Sequence, residues 1–339
     1  MKKKLAIGVG LLLSLAAPYL FPTYVTMLAF VWLMVVLSLS WDIIGGQMGY
    51  NSFGNIFFFG IGMYVSAIVQ RDMFSSGVDR FADVAGAAAV QLSQSEYFIS
   101  LSVGVALAAV ICVLVAIVLG MAILSMRGHY FAICTLGLGI AAGEIASGID
   151  FIGAGSGMVT PLYPEAAGSR EAFYYYFFFA LAVGTLLLLN KIYKSRFGLV
   201  LNAIRDDEDK AEAMGLHTTR YKTIAWSIAA FVLGIAGAGT GNLVGFIDPI
   251  DVAFTGATFG VWMILTVILG GKGTLWGPVI GAVIFYATKE IFWTYLLGWQ
   301  RVALGLLIVI IVVFFPTGIL GWVRERWPHR FGERVEEAN

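Results

Sequence analysis

The chain has 339 residues, 59% of them hydrophobic and only 12% charged, about half the charged share of ordinary soluble domains. A folded surface in water cannot be covered from such a composition, so a soluble globular class is excluded and a lipid-embedded one is indicated. With 21 basic and 21 acidic residues the net charge is zero, which argues against a nucleic-acid partner. The 41 glycines suit closely packed membrane helices.

Lys2, Lys3 and Lys4 lead into the apolar run 5–17, a pattern shared with secretory signals. The run continues past Pro18 to Leu20 and Phe21, which favours a retained first span kinked at Pro18. A helix rises about 1.5 Å per residue, so roughly 20 apolar residues cross the hydrocarbon core. On that rule spans are predicted at 5–21, 23–42, 53–70, 98–125, 129–147, 172–190, 222–246, 255–271, 275–297 and 302–322. The fold class is therefore an all-α, polytopic transmembrane helical bundle of about ten spans. The segments 129–147 and 255–271 are short enough to be tilted, broken or re-entrant.

Basic residues mark cytoplasmic flanks. They cluster at the amino end, in 191–222 (Lys191, Lys194, Arg196, Arg205, Lys210, Arg220, Lys222) and in the tail (Arg324, Arg326, Arg330, Arg334). The segments 71–97 and 148–171 hold only Arg71, Arg80 and Arg170. An even span count places both termini in the cytoplasm and the two poorly charged segments outside.

The longest charged stretch is SRFGLVLNAIRDDEDKAEAMGLHTTRY, 195–221. Asp206, Asp207, Glu208 and Asp209 suit a helix start, Ala211 to Met214 favour helix, and Gly215 supplies a stop. A short helix outside the membrane is expected. It is either a solvated connection or a docking knob for a soluble partner.

Two glycine-rich blocks break the apolar pattern. WDIIGGQMGYNSFGNIFFFGIGMY (41–64) interrupts an apolar stretch with Gln47, Asn51, Ser52 and Asn55. It is either a broken segment lining a translocation path or a cytoplasmic turn, because non-helical backbone at membrane depth must be covered by protein or face water. LGGKGTLWGPVIGA (269–282) is not a phosphate loop, since Lys272 is followed by glycine and Thr266 stands where the first glycine belongs. It reads as a tight turn with Pro278 opening the next helix. Gly277 with Gly281, and Gly237 with Gly241 and Gly245, are expected to be helix-packing faces.

Glu144 is an acid well inside a predicted span, where such groups face a cavity or a partner. Pairing with a basic residue of a neighbouring helix and a place near a substrate's amino group both stay open. Lys289 and Glu290 are adjacent on a helix and need not pair. Cys112 and Cys134 lie in apolar runs and read as two separate core thiols. His129, His217 and His329 are scattered, so no metal site is expected.

Taken together, these blocks resemble the inner-membrane permease subunit, M type, of bacterial ABC importers for branched-chain amino acids. The match in the charged loop runs through Arg205, Glu208, Arg220, Tyr221 and Lys222. There Asp209-Lys210-Ala211-Glu212-Ala213-Met214-Gly215 corresponds to the family's Glu-Ala-Ala, three residues, Gly, with Lys210 departing from the pattern. Gly46, Gln47, Ser52, Gly54, Gly60, Gly62 and Tyr64 match a second family segment, and 269–282 matches a third.

The resemblance implies a transmembrane permease domain over 1–325 with a cytoplasmic coupling loop 191–222 and a cytoplasmic tail 326–339. It implies that Arg205, Asp206, Glu208, Asp209, Ala211, Glu212 and Gly215 form an ATPase-coupling helix. Gln47, Asn51, Ser52, Asn55 and Glu144 are the candidate translocation path. The implied partners are a second homologous permease chain, two ATP-binding subunits and a periplasmic substrate-binding protein, with membrane lipids around them. No cofactor is expected, because ATP is bound by the partner subunits. The implied place is the bacterial inner membrane, and the implied cargo is branched-chain or related amino acids. The competing class is a stand-alone ion-coupled secondary transporter or channel, which requires carboxylates near the midplane, and Glu144 is its only candidate. An intramembrane enzyme lacks a His/Asp/Ser or metal constellation.

Overall fold

The computed structural model describes residues 2–74, 92–314 and 318–326. The expected tail beyond Arg326, and residues 75–91 of the expected outer segment 71–97, lie outside the described residues. The described chain is helical nearly throughout, with one antiparallel ladder joining Met158–Val159 (β1) to Phe246–Ile247 (β2). It is an all-α polytopic membrane architecture. In chain order, α1 is Lys2–Leu20, and α2 is Val25–Asp42, continued by a π turn Ile43–Gln47. Then come α3 (Asn55–Phe74), α4 (Gln94–Ile123), α5 (Gly128–Ser147) and α6 (Arg170–Tyr193). Two short helices, α7 (Arg196–Asp206) and α8 (Glu208–Ala213), precede α9 (Thr218–Val244). Last come α10 (Val261–Gly270), α11 (Gly277–Tyr295), α12 (Gln300–Phe314) and α13 (Gly318–Arg326).

Six described segments are long and apolar enough to cross a bilayer: Pro22–Gln47, Gln94–Ile123, Gly128–Ser147, Arg170–Tyr193, Thr218–Val244 and Pro249–Gly270. The expected spans 5–21, 53–70 and 275–297 fall on α1, α3 and α11. Pro18 lies inside α1. Within the expected span 302–322, α12 is described to Phe314 and α13 from Gly318, whose φ is +73° and whose β-carbon, if present, would meet the backbone of Gly271. The expected span 255–271 begins earlier and is irregular. Pro249 carries no N–H, Asp248 accepts instead from the N–H groups of Ile250 and Asp251 at 2.8 and 2.6 Å, and π turns Pro249–Ala253 and Gly256–Gly260 precede α10.

The core is built around α9, which is buried along most of its length between α2, α3 and α4. Its glycines allow this. A β-carbon on Gly237 would land on the Phe59 carbonyl oxygen, and one on Gly62 would land on that of Gly234, so α3 and α9 meet backbone to backbone. Likewise Gly281 of α11 lies against the Thr266 carbonyl and Gly277 against that of Gly271. In lipid, where apolar surface gains nothing by leaving its solvent, such close contact is what holds helices together. Gly245 does not belong to this face: it ends α9 in the left-handed region at φ +86°, its N–H on the Gly241 carbonyl. Cys112 and Cys134 are free thiols. Lys289 and Glu290, although adjacent, do pair at 3.2 Å, because the rings of Tyr286 and Trp293 hold the Lys289 ammonium at 4.6 and 5.4 Å.

The helices deliver their connections to two ends. One end gathers the α2–α3 connection, the α4–α5 turn, α7, α8 and the turn 271–276. The other holds the β1–β2 ladder, with the Thr160 N–H on the Gly245 carbonyl at 3.0 Å and Arg71 donating to the Phe151 carbonyl at 2.8 Å. Replacing Gly62 by valine should cost at least ~1–3 kcal/mol by overpacking and lower the melting temperature in detergent. Gly137→Ala, whose β-carbon meets nothing within 4 Å, should leave the isolated chain unchanged. Equal melting temperatures for both would contradict the packing described.

Candidate coupling site

The charged loop folds into two short helices, each of which buries one side. In α7, Gly198, Leu201 and Ile204 are buried. In α8 only Ala211 is buried. Asp207 caps α8, its carboxylate accepting from the Lys210 N–H at 3.0 Å. At the other end Gly215, at φ +88°, closes a paired turn: its own N–H meets the Glu212 carbonyl and the Leu216 N–H meets that of Ala211. No atom lies within 4 Å of a β-carbon built on Gly215, so glycine is required by backbone conformation and not by space.

The two faces of α8 do different things. Asp209, Lys210 and Met214 point outward, each more than four-fifths exposed. Glu208 points the other way and is only 10% exposed. Its carboxylate takes the ammonium of Lys222 at 2.7 Å and the hydroxyl of Tyr50. Lys222, at the foot of α9, is 1% exposed and also donates to the Tyr50 hydroxyl at 3.2 Å, with its ammonium 4.6 Å from the ring centre. Removing one partner from such a buried pair strands the other charge and costs ~3–5 kcal/mol. Burial, and then the neighbouring Glu208 carboxylate, push the Tyr50 phenol above its ordinary range, so it remains a donor.

A second clamp comes from Arg127 in the α4–α5 turn. It pairs with Asp209, with Glu212 at 2.8 Å and with Glu208 at 3.7 Å. Glu212 also accepts from the Thr218 hydroxyl at 2.6 Å. The Thr218 hydroxyl, and then Arg127, hold the Glu212 carboxyl below its ordinary value of 4.5. Arg205 at the end of α7 pairs with Asp206 at 3.0 Å, and its stem lies over Gly49. Of the seven residues expected on the coupling helix, Arg205 and Asp206 fall on α7, Glu208, Asp209, Ala211 and Glu212 on α8, and Gly215 in its cap.

The α2–α3 connection sits directly beneath. Gly49 turns it at φ +78°, and Gln47 donates to the Gly273 carbonyl at 2.9 Å. Asp42, fully buried, accepts from the Gly273 N–H at 2.8 Å and the Tyr193 hydroxyl at 3.1 Å. Ser52 donates to Asn55 at 2.8 Å and both are buried, whereas Asn51 is exposed. The glycine-rich block is thus a turn at the end of the bundle that carries the charged loop. Glu144 lies elsewhere, exposed on α5 beside Ile140, Ala141 and Ile145, and among the described residues it makes no ion pair. The pairing with a neighbouring basic residue left open from the sequence is not found.

Sequence reasoning missed Asp42 and Tyr50. Asp42 was the last residue of an apolar run, and its partner Gly273 lies 231 residues away. Tyr50 lies in the glycine-rich block without a charge of its own, and its partner Glu208 is 158 residues distant. The one signal available was an acid, Asp42, set within an otherwise apolar run just ahead of Gly45 and Gly46.

A bundle of membrane-crossing helices, with a short exposed helix fixed on charged anchors at one end, defines a polytopic membrane protein. The family model described as branched-chain amino acid transport system / permease component matches residues 23–314, and the chain belongs to that family. It is a non-catalytic, inner-membrane permease subunit of an ABC importer. It is 23% identical to the high-affinity branched-chain amino acid transport system permease protein LivM of Salmonella typhimurium, over 99% of this chain and 79% of that one. The Escherichia coli LivM is also 23% identical, over 95% of this chain and 76% of its own length. The LivH permease protein of Salmonella typhimurium is 29% identical over 38% of this chain and 40% of its own. No solved structure matches the chain.

Gly215→Ala should destabilise the docked α8 by ~1–2 kcal/mol, the cost of a left-handed non-glycine residue, without affecting membrane insertion. Because the Glu212 carboxyl is held below 4.5, its contribution is present above that pH and is lost as the pH falls through the lower folded value. Glu212→Gln and the unaltered chain should therefore differ in melting temperature at neutral pH and converge only below 4.5. Convergence already at pH 6 would refute it.

Proposed function

We propose that this chain is one half of the translocation pathway of an importer for branched-chain or related amino acids, working by alternating access. A second homologous permease chain supplies the other half, two ATP-binding subunits hydrolyse ATP on the cytoplasmic side, and a periplasmic binding protein delivers the cargo. The observation that carries the reading is the division of labour on α8. It presents Asp209, Lys210 and Met214 to the outside while Glu208 and Ala211 hold it to the bundle. A helix that only connected two spans would not need buried ionic anchors. Both termini lie in the cytoplasm in this reading, which the clustering of basic residues supports. The segments 71–97 and 148–171 are then the surfaces for the binding protein.

In the same reading Asn51, Ser52 and Asn55 form the cytoplasmic closure of the path, with Gln47 fixing its frame to the 271–276 turn. Glu144 would be costly against lipid, which supports a place facing the path or the second permease chain. The cargo class rests on the family and on the names of the relatives.

The test is uptake in proteoliposomes. With all partner subunits and loaded binding protein, leucine should accumulate only with ATP. Accumulation by this chain alone, driven by an ion gradient and indifferent to ATP, would refute the importer reading. Cysteines placed at Ser52 and Asn55 should label at different rates in ATP-bound and ATP-free complexes. Rates that ignore ATP and cargo would remove these residues from the path.

A further inference from the structure

Below the charged loop, one hydroxyl links the α2–α3 connection to α8 and to the foot of α9. Tyr50 Oη donates to Glu208 of α8 and accepts from Lys222 of α9 at 3.2 Å. Its backbone N–H is fixed to the Ile44 carbonyl at 2.9 Å, two residues inside the π turn. On its other side the ring meets Phe131 of α5 edge-on at 5.2 Å. Phe131 meets Trp226 of α9 at 6.4 Å, and Trp226 meets Phe58 of α3 at 5.1 Å. The buried Ser52–Asn55 pair lies just along the chain from Tyr50, and the Trp41 indole donates to the Ser52 carbonyl at 2.7 Å. No other side chain of the 48–54 connection bonds to the coupling loop among the described residues.

We infer that Tyr50 is a positioning residue for transport: through its bonds to Glu208 and Lys222, displacement of α8 by the ATPase is transmitted to the 48–55 segment that closes the path. The inference rests on the importer reading given above. A phenol suits the task. It ties the segment to a buried ion pair by a bond strong enough to follow α8, while the aromatic contacts lead the same displacement toward α5, α9 and α3.

The experiment measures leucine accumulated per ATP hydrolysed in the complete complex, alongside recovery of the assembled subunits. Tyr50→Phe keeps the ring and its packing but removes the link, and should lower that ratio about tenfold, within the usual range of coupling between sites. A merely structural role would lower hydrolysis and accumulation together and leave the ratio intact. The double variant Glu208→Gln with Lys222→Met, which removes both charges without stranding either, should lower the ratio likewise. A cysteine at the exposed Asn51 should label at an ATP-dependent rate in the unaltered complex and at an ATP-independent rate with Tyr50→Phe. An unaltered complex that couples ATP to uptake, beside a Tyr50→Phe or double variant with the same ratio, would overturn this inference alone. An unaltered complex without ATP-driven uptake would overturn the importer reading, and this inference with it.

Discussion

In hydrocarbon, two helices gain little by hiding leucines from each other, since lipid is just as apolar. What remains is contact area, and contact area between backbones depends on having no side chain in the way. The α3–α9 seam is built on that constraint, with Gly62 against the Gly234 carbonyl and Gly237 against that of Phe59. Gly234 extends it to a third helix, its α-carbon face lying close to Cys112 and the Ala108 carbonyl of α4. α2 and α6 pack around this three-way seam, and α1 is tied to α6 by the Tyr175 and Tyr176 hydroxyls on the Ser14 and Leu15 carbonyls.

Fixing the seam fixes the foot of α9, and therefore Lys222. A lysine at 1% exposure is tolerated only with an anion and further dipoles around it. Glu208 supplies the anion, and the Tyr50 hydroxyl and ring complete the surroundings. The short helix α8 is too small to be stable alone. It persists because it brings the carboxylate that Lys222 requires, and because Arg127 clamps its exposed acids from the α4–α5 turn. Packing inside the bundle and order in the charged loop are thus parts of one energetic arrangement.

Six of the expected spans were legible because long apolar runs have little other use, and α8 was legible because its acids and Gly215 are local signals. Where the physics is non-local, reading failed or stayed open. Asp42 looked like the end of a span, and nothing near it announces that the Gly273 N–H, 231 residues on, is its donor. Gly245 continued a four-residue glycine spacing, yet it stops the helix, because spacing alone does not distinguish a packing glycine from a left-handed cap. Lys289 and Glu290 were read from helix geometry as divergent neighbours, whereas surrounding rings bend the lysine back toward the carboxylate. Glu208 carried a recognisable position, but its inward direction depends on Lys222 and on Tyr50, which lies 158 residues away.

The small β1–β2 ladder has a mechanical consequence. It fastens the upper end of α9 to the loop after α5, while Lys222 and Glu208 fasten the lower end to α8. They act near opposite ends of an unbroken helix of 27 residues, about 40 Å long. A tilt of roughly ten degrees at one end carries the other about 7 Å. The ladder and the buried ion pair thus hold opposite ends of one helix to different loops, so a tilt of that helix is felt at both ends of the bundle.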